Sequence, residues 1–166
     1  MAGRWLVGGR AVPGGAGKPG AAGAAGGENR RMTDITRIDP AELHPTSGYA
    51  HITVVEAGRT AHLAGQCPLD ADEKLVGAGD LDAQIDQVVA NALTALAAIG
   101  IGPERVVRSV VYVVGDRSEV LAGAWHRLAA SPLAPALTTA STLLGVAALG
   151  YTGQLVEIDL TAALPG

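Results

Sequence analysis

The sequence predicts an α+β domain in the order β-β-α-β-α-β-β, a single mixed sheet with two helices on one face. Three observations carry this. One apolar stripe at helical spacing runs from Leu81 to Leu96 and stops at Gly100. The run from Val106 to Val114 is dominated by valine. The closing segment from Leu155 to Ala162 alternates with period two. A length of 166 residues is that of one domain, and 48% hydrophobic against 17% charged residues supplies a core. With 3% aromatics and no Phe, that core must be built from Val, Leu, Ile and Ala.

The elements follow in order. Ala50 to Glu56 is β-like, with Ile52 and Val54 on one side and His51, Thr53 and Val55 on the other. Ala57-Gly58-Arg59 reads as a tight turn, and Thr60 to Gln66 as the returning strand of a hairpin. Pro68 to Gly79 is a loop rich in Asp, Gly and Pro. Leu81, Ile85, Val88, Val89, Ala92, Leu93 and Leu96 then form one helical stripe. Asp80 and Asp82 sit at its positive end, Gly100 ends it, and Pro103 lies just beyond. In the next strand Val106, Val110, Tyr112 and Val114 share one face, and Val107, Val111 and Val113 the other. A second helix spans about Arg117 to Ala130 and stops before Ser131-Pro132. Thr138 to Val146 is a strand, and Gly150 to Gly153 is a turn. The last strand points Val156, Ile158, Leu160 and Ala162 inward.

Two helices cover one face of such a sheet. A strand apolar on both faces is covered on both. No element is left for the second face, so the chain is expected to self-associate.

Residues 1–31 are read apart from the fold. They hold ten of the 23 glycines, and Pro13 to Gly27 is almost entirely Gly, Ala and Pro. Such a stretch buries too little apolar surface to offset chain entropy. The expectation is a disordered tail at 1–31 and a folded domain at 32–166. Arg30-Arg31 is followed by polar Thr33, Asp34 and Thr36, not by the apolar run of a targeting peptide, and Met32 is a candidate start. The tail carries a net charge of +4 and the remainder −8. A body at −8 is a poor partner for a polyanion, so no nucleic acid is expected. No apolar run approaches the ~18 residues of a membrane span, so no membrane partner is expected either. The lone cysteine, Cys67, excludes an internal disulfide and fits a reducing, cytoplasmic setting.

Several short motifs stand in a telling order. They are Gly48-Tyr49-Ala50-His51, Ala64-Gly65-Gln66-Cys67-Pro68, the helical set Gln84, Gln87 and Asn91, then Val111-Tyr112-Val113, Trp125 and Leu155-Val156-Glu157-Ile158-Asp159. In order and spacing these resemble the RidA family, also called the YjgF family, over roughly Tyr49 to Ala162. The resemblance implies a chorismate mutase-like fold, a homotrimer with its sheets facing inward, and ligand pockets between subunits. It implies reactive-intermediate deaminase chemistry, with Tyr49 on the pocket tyrosine and Glu157 positioning the attacking water. Ala64 and Gly65 fall on the family's Ser-Gly-Gln motif, and Trp125 on its second-helix aromatic.

One departure bears on substrate. The family deaminases carry Pro-Ala-Arg-Ser on the penultimate strand, and its arginine grips the carboxylate of an imine or enamine. Counting back from Leu149 and Glu157, the matching stretch is Thr139-Ala140-Ser141-Thr142, with Ser141 in the arginine's place. A guanidinium is a charged, bidentate fork, whereas a hydroxyl is one neutral donor. The substrate preference is therefore expected to differ, with Arg105, Arg108 and Arg127 as the guanidinia to check.

Glu157 is the candidate general acid or base, and Tyr49 the candidate donor. Ser141, Thr139 and His51 are candidate contacts, and Asp159 shares the face of Glu157. Cys67 reads as a small packed residue before Pro68. His44, His51, His62 and His126 lack metal-ligand spacing. Asp70-Ala71-Asp72-Glu73 starts like a calcium loop but continues with Lys74 and Leu75. No metal and no cofactor are expected. Three readings follow: a RidA-like hydrolase with altered substrate, a non-catalytic small-ligand-binding trimer, and a ribonuclease-type or regulatory role.

Overall fold

The computed structural model describes residues 34–56 and 58–165 of the chain; the expected tail lies outside them. Among the described residues the class is α+β, with two helices and a mixed sheet as expected, but six strands rather than five and two sheets rather than one. β1 (Ile35–Ile38) pairs antiparallel with β2 (Ile52–Val55), Ile38 standing opposite Ile52. β3 (Thr60–His62), β4 (Val106–Val114), β5 (Ala140–Val146) and β6 (Val156–Ala163) form the larger sheet in the order β3-β6-β4-β5. β4 and β5 are parallel, and the other pairs are antiparallel. The two sheets touch at Ala50, whose N–H donates to the Thr139 carbonyl at 3.1 Å.

The expected hairpin does not form. Ala57 of its turn lies outside the described residues, and the strands on either side take other partners. β6 is eight residues long and offers the segment after the turn a continuous edge. β3 pairs there, and the same segment continues with Leu63 N–H on Leu160 O (2.9 Å) and Gln66 N–H on Ile158 O (2.9 Å). β2 is left to pair with Ile-Thr-Arg-Ile at 35–38, too short a run to stand out in sequence.

α1 (Leu81–Ala98) begins at Asp80, whose carboxylate accepts the Ala83 N–H at 3.1 Å. It ends where Gly100 takes φ +74°, a left-handed turn that glycine adopts without a Cβ clash. Ile85, Val88, Val89, Ala92 and Leu96 are buried, as the stripe predicts. α2 (Ser118–Ala129) buries Ala124 and Leu128. Arg127 joins the helices, reaching Asp86 at 2.6 Å and Asp82 at 3.3 Å.

Three polar residues of α1 hold the loops around the larger sheet. Gln84, fully buried, donates to Gly77 O (3.1 Å) and Gly153 O (2.9 Å) and accepts the Leu155 N–H at 2.7 Å. Asn91 donates to Cys67 O (2.8 Å) and Leu69 O (2.9 Å), and Gln87 to Leu69 O (3.3 Å). A buried amide with all its partners met rigidifies what it touches.

Ser109, Val111 and Val113 of β4 face the helices and are buried, and Val107 is buried at a bulge. Val106 joins them against strand parity, because a bulge between Val106 and Arg108 shifts the register against β6. On the other face Val110, Tyr112 and Val114 are only half-buried, and Leu144 is 42% exposed. Ile52 and Val54 of β2 are also largely exposed. Among the described residues no helix is long and apolar enough to cross a membrane.

Candidate functional site

Alternation along β6 buries Val156, Ile158 and Leu160 and turns Glu157 and Asp159 to the uncovered face. Glu157 Oε2 accepts Gln154 Nε2–H at 2.9 Å and the Cys67 thiol at 3.5 Å. Its other oxygen, Oε1, lies over Gly65, where a Cβ would run into it. Asp159 Oδ1 lies 3.1 Å from that same Cβ position, and Asp159 Oδ2 accepts the Tyr112 hydroxyl at 3.1 Å. Tyr112 stands opposite Glu157 in the β4–β6 register.

The charges shape the neighbours. The Cys67 thiol is pushed up to about 11, first by burial and then by the Glu157 charge and hydrogen bond. It therefore stays a neutral donor, not a thiolate nucleophile. Burial, then the bond to Asp159, raises the Tyr112 phenol. Neither Glu157 nor Asp159 has an ion-pair partner among the described residues. Ala64, exposed, accepts from Gln66 Nε2 through its carbonyl at 2.8 Å.

The second group forms around Tyr49. Its hydroxyl meets His44 Nε2 at 3.0 Å, and its ring lies edge-on to Trp125, with centroids 6.4 Å apart. His51 stands behind it at 6.0 Å, its own Nε2 bonded to the His44 carbonyl at 2.9 Å. Tyr49, Leu121, Ala122, Trp125, Ser141 and Leu143 line a cleft of about 540 Å³ between α2, β5 and the Tyr49 loop. No Asp, Glu, Lys or Arg is among the described residues that line it.

The structure thus brings Tyr49, Trp125 and Ser141 to one cleft and Ala64, Gly65 and Glu157 to another place. Within one chain the two groups do not meet. Ser141 stands opposite Ser109, and Glu157 opposite Tyr112, with β4 between β5 and β6. The Ser141 hydroxyl turns to Ser109 Oγ (2.6 Å) and Leu137 O (3.0 Å). Thr139 is fully buried, its hydroxyl 2.7 Å from that of Thr53, and neither Thr139 nor His51 lines the cleft. Arg108 donates to the Ala140 carbonyl at 3.2 Å, while Arg105 is bonded to Asp34 and Arg127 to Asp82 and Asp86.

Sequence reasoning did not find Gln154, Tyr112 and His44. Gln154 sits on a turn with no periodicity to mark it. Tyr112 carried a usable signal, a polar-tipped aromatic within a valine strand. Among the described residues, no three His, Cys, Asp or Glu converge as metal ligands.

Comparison with known proteins relates the whole domain to others. The family model described as Endoribonuclease L-PSP matches residues 40–164. Protein DfrA of Myxococcus xanthus is 32% identical over 116 residues, covering 69% of this chain and 83% of DfrA. The crystal structure of YyfB from Yersinia pestis, a protein of unknown function of the conserved Rid family, is 36% identical with a TM-score of 0.71, covering 79% of this chain and 99% of YyfB. A YjgF-family structure from Mycobacterium tuberculosis shares the fold at 21% identity and a TM-score of 0.51, over 78% of this chain and 99% of that one.

Proposed function

Because the chain belongs to the RidA family, matched by the Endoribonuclease L-PSP model over residues 40–164, we propose that it is a small-molecule hydrolase of the deaminase type. Its substrate is an imine, enamine or related compound, and its preference is altered because Ser141 replaces the family arginine. The working form is a homotrimer. Self-association covers the open sheet face and brings the Glu157 group of one copy to the Tyr49 cleft of another.

The observation that carries this reading is the Glu157 carboxylate. One oxygen is held by neutral donors, the other is open over Gly65, and no cation among the described residues neutralises it. Such a group takes a proton from water as the water oxygen adds to the imine carbon. Glu157 hands that proton to the imine nitrogen, which gives the neutral carbinolamine. The carbinolamine hydroxyl then passes its own proton through Glu157 to the amino nitrogen, which leaves as ammonia as the carbonyl forms, and the carboxylate is restored. Tyr49 supplies a hydroxyl donor to the substrate.

The preference follows from charge. The Ser141 hydroxyl is neutral and bonded inward. Lacking a guanidinium clamp weakens carboxylate binding by about 1.5–3 kcal/mol, the strength of a charged hydrogen bond. Unpaired Glu157 and Asp159 add repulsion toward an anion. A carboxylate-free imine fits better. The apolar wall of the cleft favours a second reading, a trimer that binds a small ligand without turnover. Ribonuclease action is not proposed, since the body at −8 repels RNA.

Ammonia release from a carboxylate-free imine, generated in place by an amine oxidase, tests the proposal. The species with three times the 16.6 kDa chain mass is expected to accelerate release over spontaneous hydrolysis. Binding without acceleration supports the second reading. A chain that stays monomeric overturns the shared pocket.

A further inference from the structure

Gln154 is locked in a single orientation. Its Oε1 accepts the Tyr151 backbone N–H at 3.1 Å. That acceptor role leaves Nε2 facing two acceptors, Val156 O at 3.1 Å and Glu157 Oε2 at 2.9 Å. A flipped amide would set oxygen against carboxylate and N–H against N–H. The side chain is only 3% exposed, so water does not compete for these bonds. The turn that carries it is held from behind by Gln84, through Gly153 O and Leu155 N–H.

Cys67 approaches the same Glu157 oxygen, and its carbonyl is anchored to α1 by Asn91. Both donors are neutral; Gln154 Nε2 points at Oε2, and the thiol has Oε2 at 3.5 Å as the nearer of two acceptors, the Gly65 carbonyl lying at 3.8 Å. The carboxylate therefore cannot turn about Cγ–Cδ without breaking both bonds, so one of its two equivalent oxygens is held inward and the other outward. Oε1 is left over Gly65, with no hydrogen-bond partner among the described residues.

We propose that Gln154, with Cys67 as the second donor, is a positioning residue that selects Oε1 of Glu157 as the proton-accepting atom. The inference rests on the reading of Glu157 as proton handler. It adds that the polar helix residues Gln84 and Asn91 act on the site at one remove, by fixing the turn and the loop that bring these donors in.

A double-mutant cycle on the trimer separates the two claims. Gln154→Met keeps the volume and removes the donor; it is expected to lower kcat about tenfold with KM within about twofold. In the Glu157→Gln background it is expected to change kcat less than twofold, because there is no carboxylate left to aim. An equal loss in both backgrounds means a merely structural role and overturns the proposal. So does unchanged kcat for Gln154→Met while Glu157→Gln is impaired. Unchanged turnover in Glu157→Gln overturns the proton-handler reading instead. If Gln154→Met fails to fold, Gln154→Glu serves. It keeps an acceptor for the Tyr151 N–H but sets a like charge against Glu157, and the same loss is expected.

A second measurement needs no substrate. Alkylation of Cys67 by iodoacetamide at pH 9 is expected to rise about tenfold in Glu157→Gln, as the neighbouring negative charge is removed. An unchanged rate overturns the role of Cys67 as second donor.

Discussion

Glu157→Gln is expected to lower kcat by about 10²–10⁴-fold, the usual worth of a positioned acid–base group, with KM changed only a few-fold. The substitution is clean for a structural reason. The new amide oxygen can still accept Gln154 Nε2–H and the Cys67 thiol, as Glu157 Oε2 does at 2.9 and 3.5 Å. That leaves an NH2 group over Gly65 where Oε1 now stands. Shape and anchoring survive, and an acceptor becomes a donor. Steady-state ammonia release checks it. A change confined to KM would mean that Glu157 binds substrate without moving a proton.

Gly65→Ala is expected to cost about 10²-fold in kcat through geometry alone. A Cβ at 65 would meet Glu157 Oε1 and lie 2.8 Å from its Cδ, closer than side-chain carbons sit to other atoms. The backbone of Gly65 is not in the left-handed region, so alanine is tolerated there by the chain itself. The glutamate must swing away, giving up Gln154 and Cys67. Misplacement by about 1 Å is enough for an effect of that size. Gly58→Ala is the control, since its new Cβ would find nothing nearer than 3.8 Å. Parallel kcat and melting measurements separate loss of aim from loss of fold. Equal activity in both variants would remove the tight Glu157–Gly65 approach from the account.

How much of this was legible in sequence differs element by element. α1 announced itself because its stripe, the Asp80 and Asp82 charges at its positive end and its Gly100 stop are all local signals that agree. β6 did so because alternation needs no knowledge of its partners. The partner of β2 was not legible. The turn residues at 58–59 signal a reversal, but whether the next strand pairs with β2 or with β6 depends on which edge is longer, a property of the whole sheet. The outward placement of Glu157 followed from alternation alone. The inward turn of the Ser141 hydroxyl did not, because it depends on a parallel register that sets Ser141 beside Ser109. Gln154 lay beyond reach for the same kind of reason. Its value comes from a turn folded back by Gln84, seventy residues earlier in the chain.

The proposed substrate preference rests on a cleft that no Lys or Arg lines among the described residues. The most direct measurement compares kcat/KM for two imines of the same side chain, one bearing a carboxylate and one lacking it, each generated in place. A preference of about tenfold or more for the carboxylate-free compound is the predicted result. A preference for the carboxylated imine that disappears in Arg108→Ala would contradict it, and would show that a guanidinium one strand away does the work of the missing one.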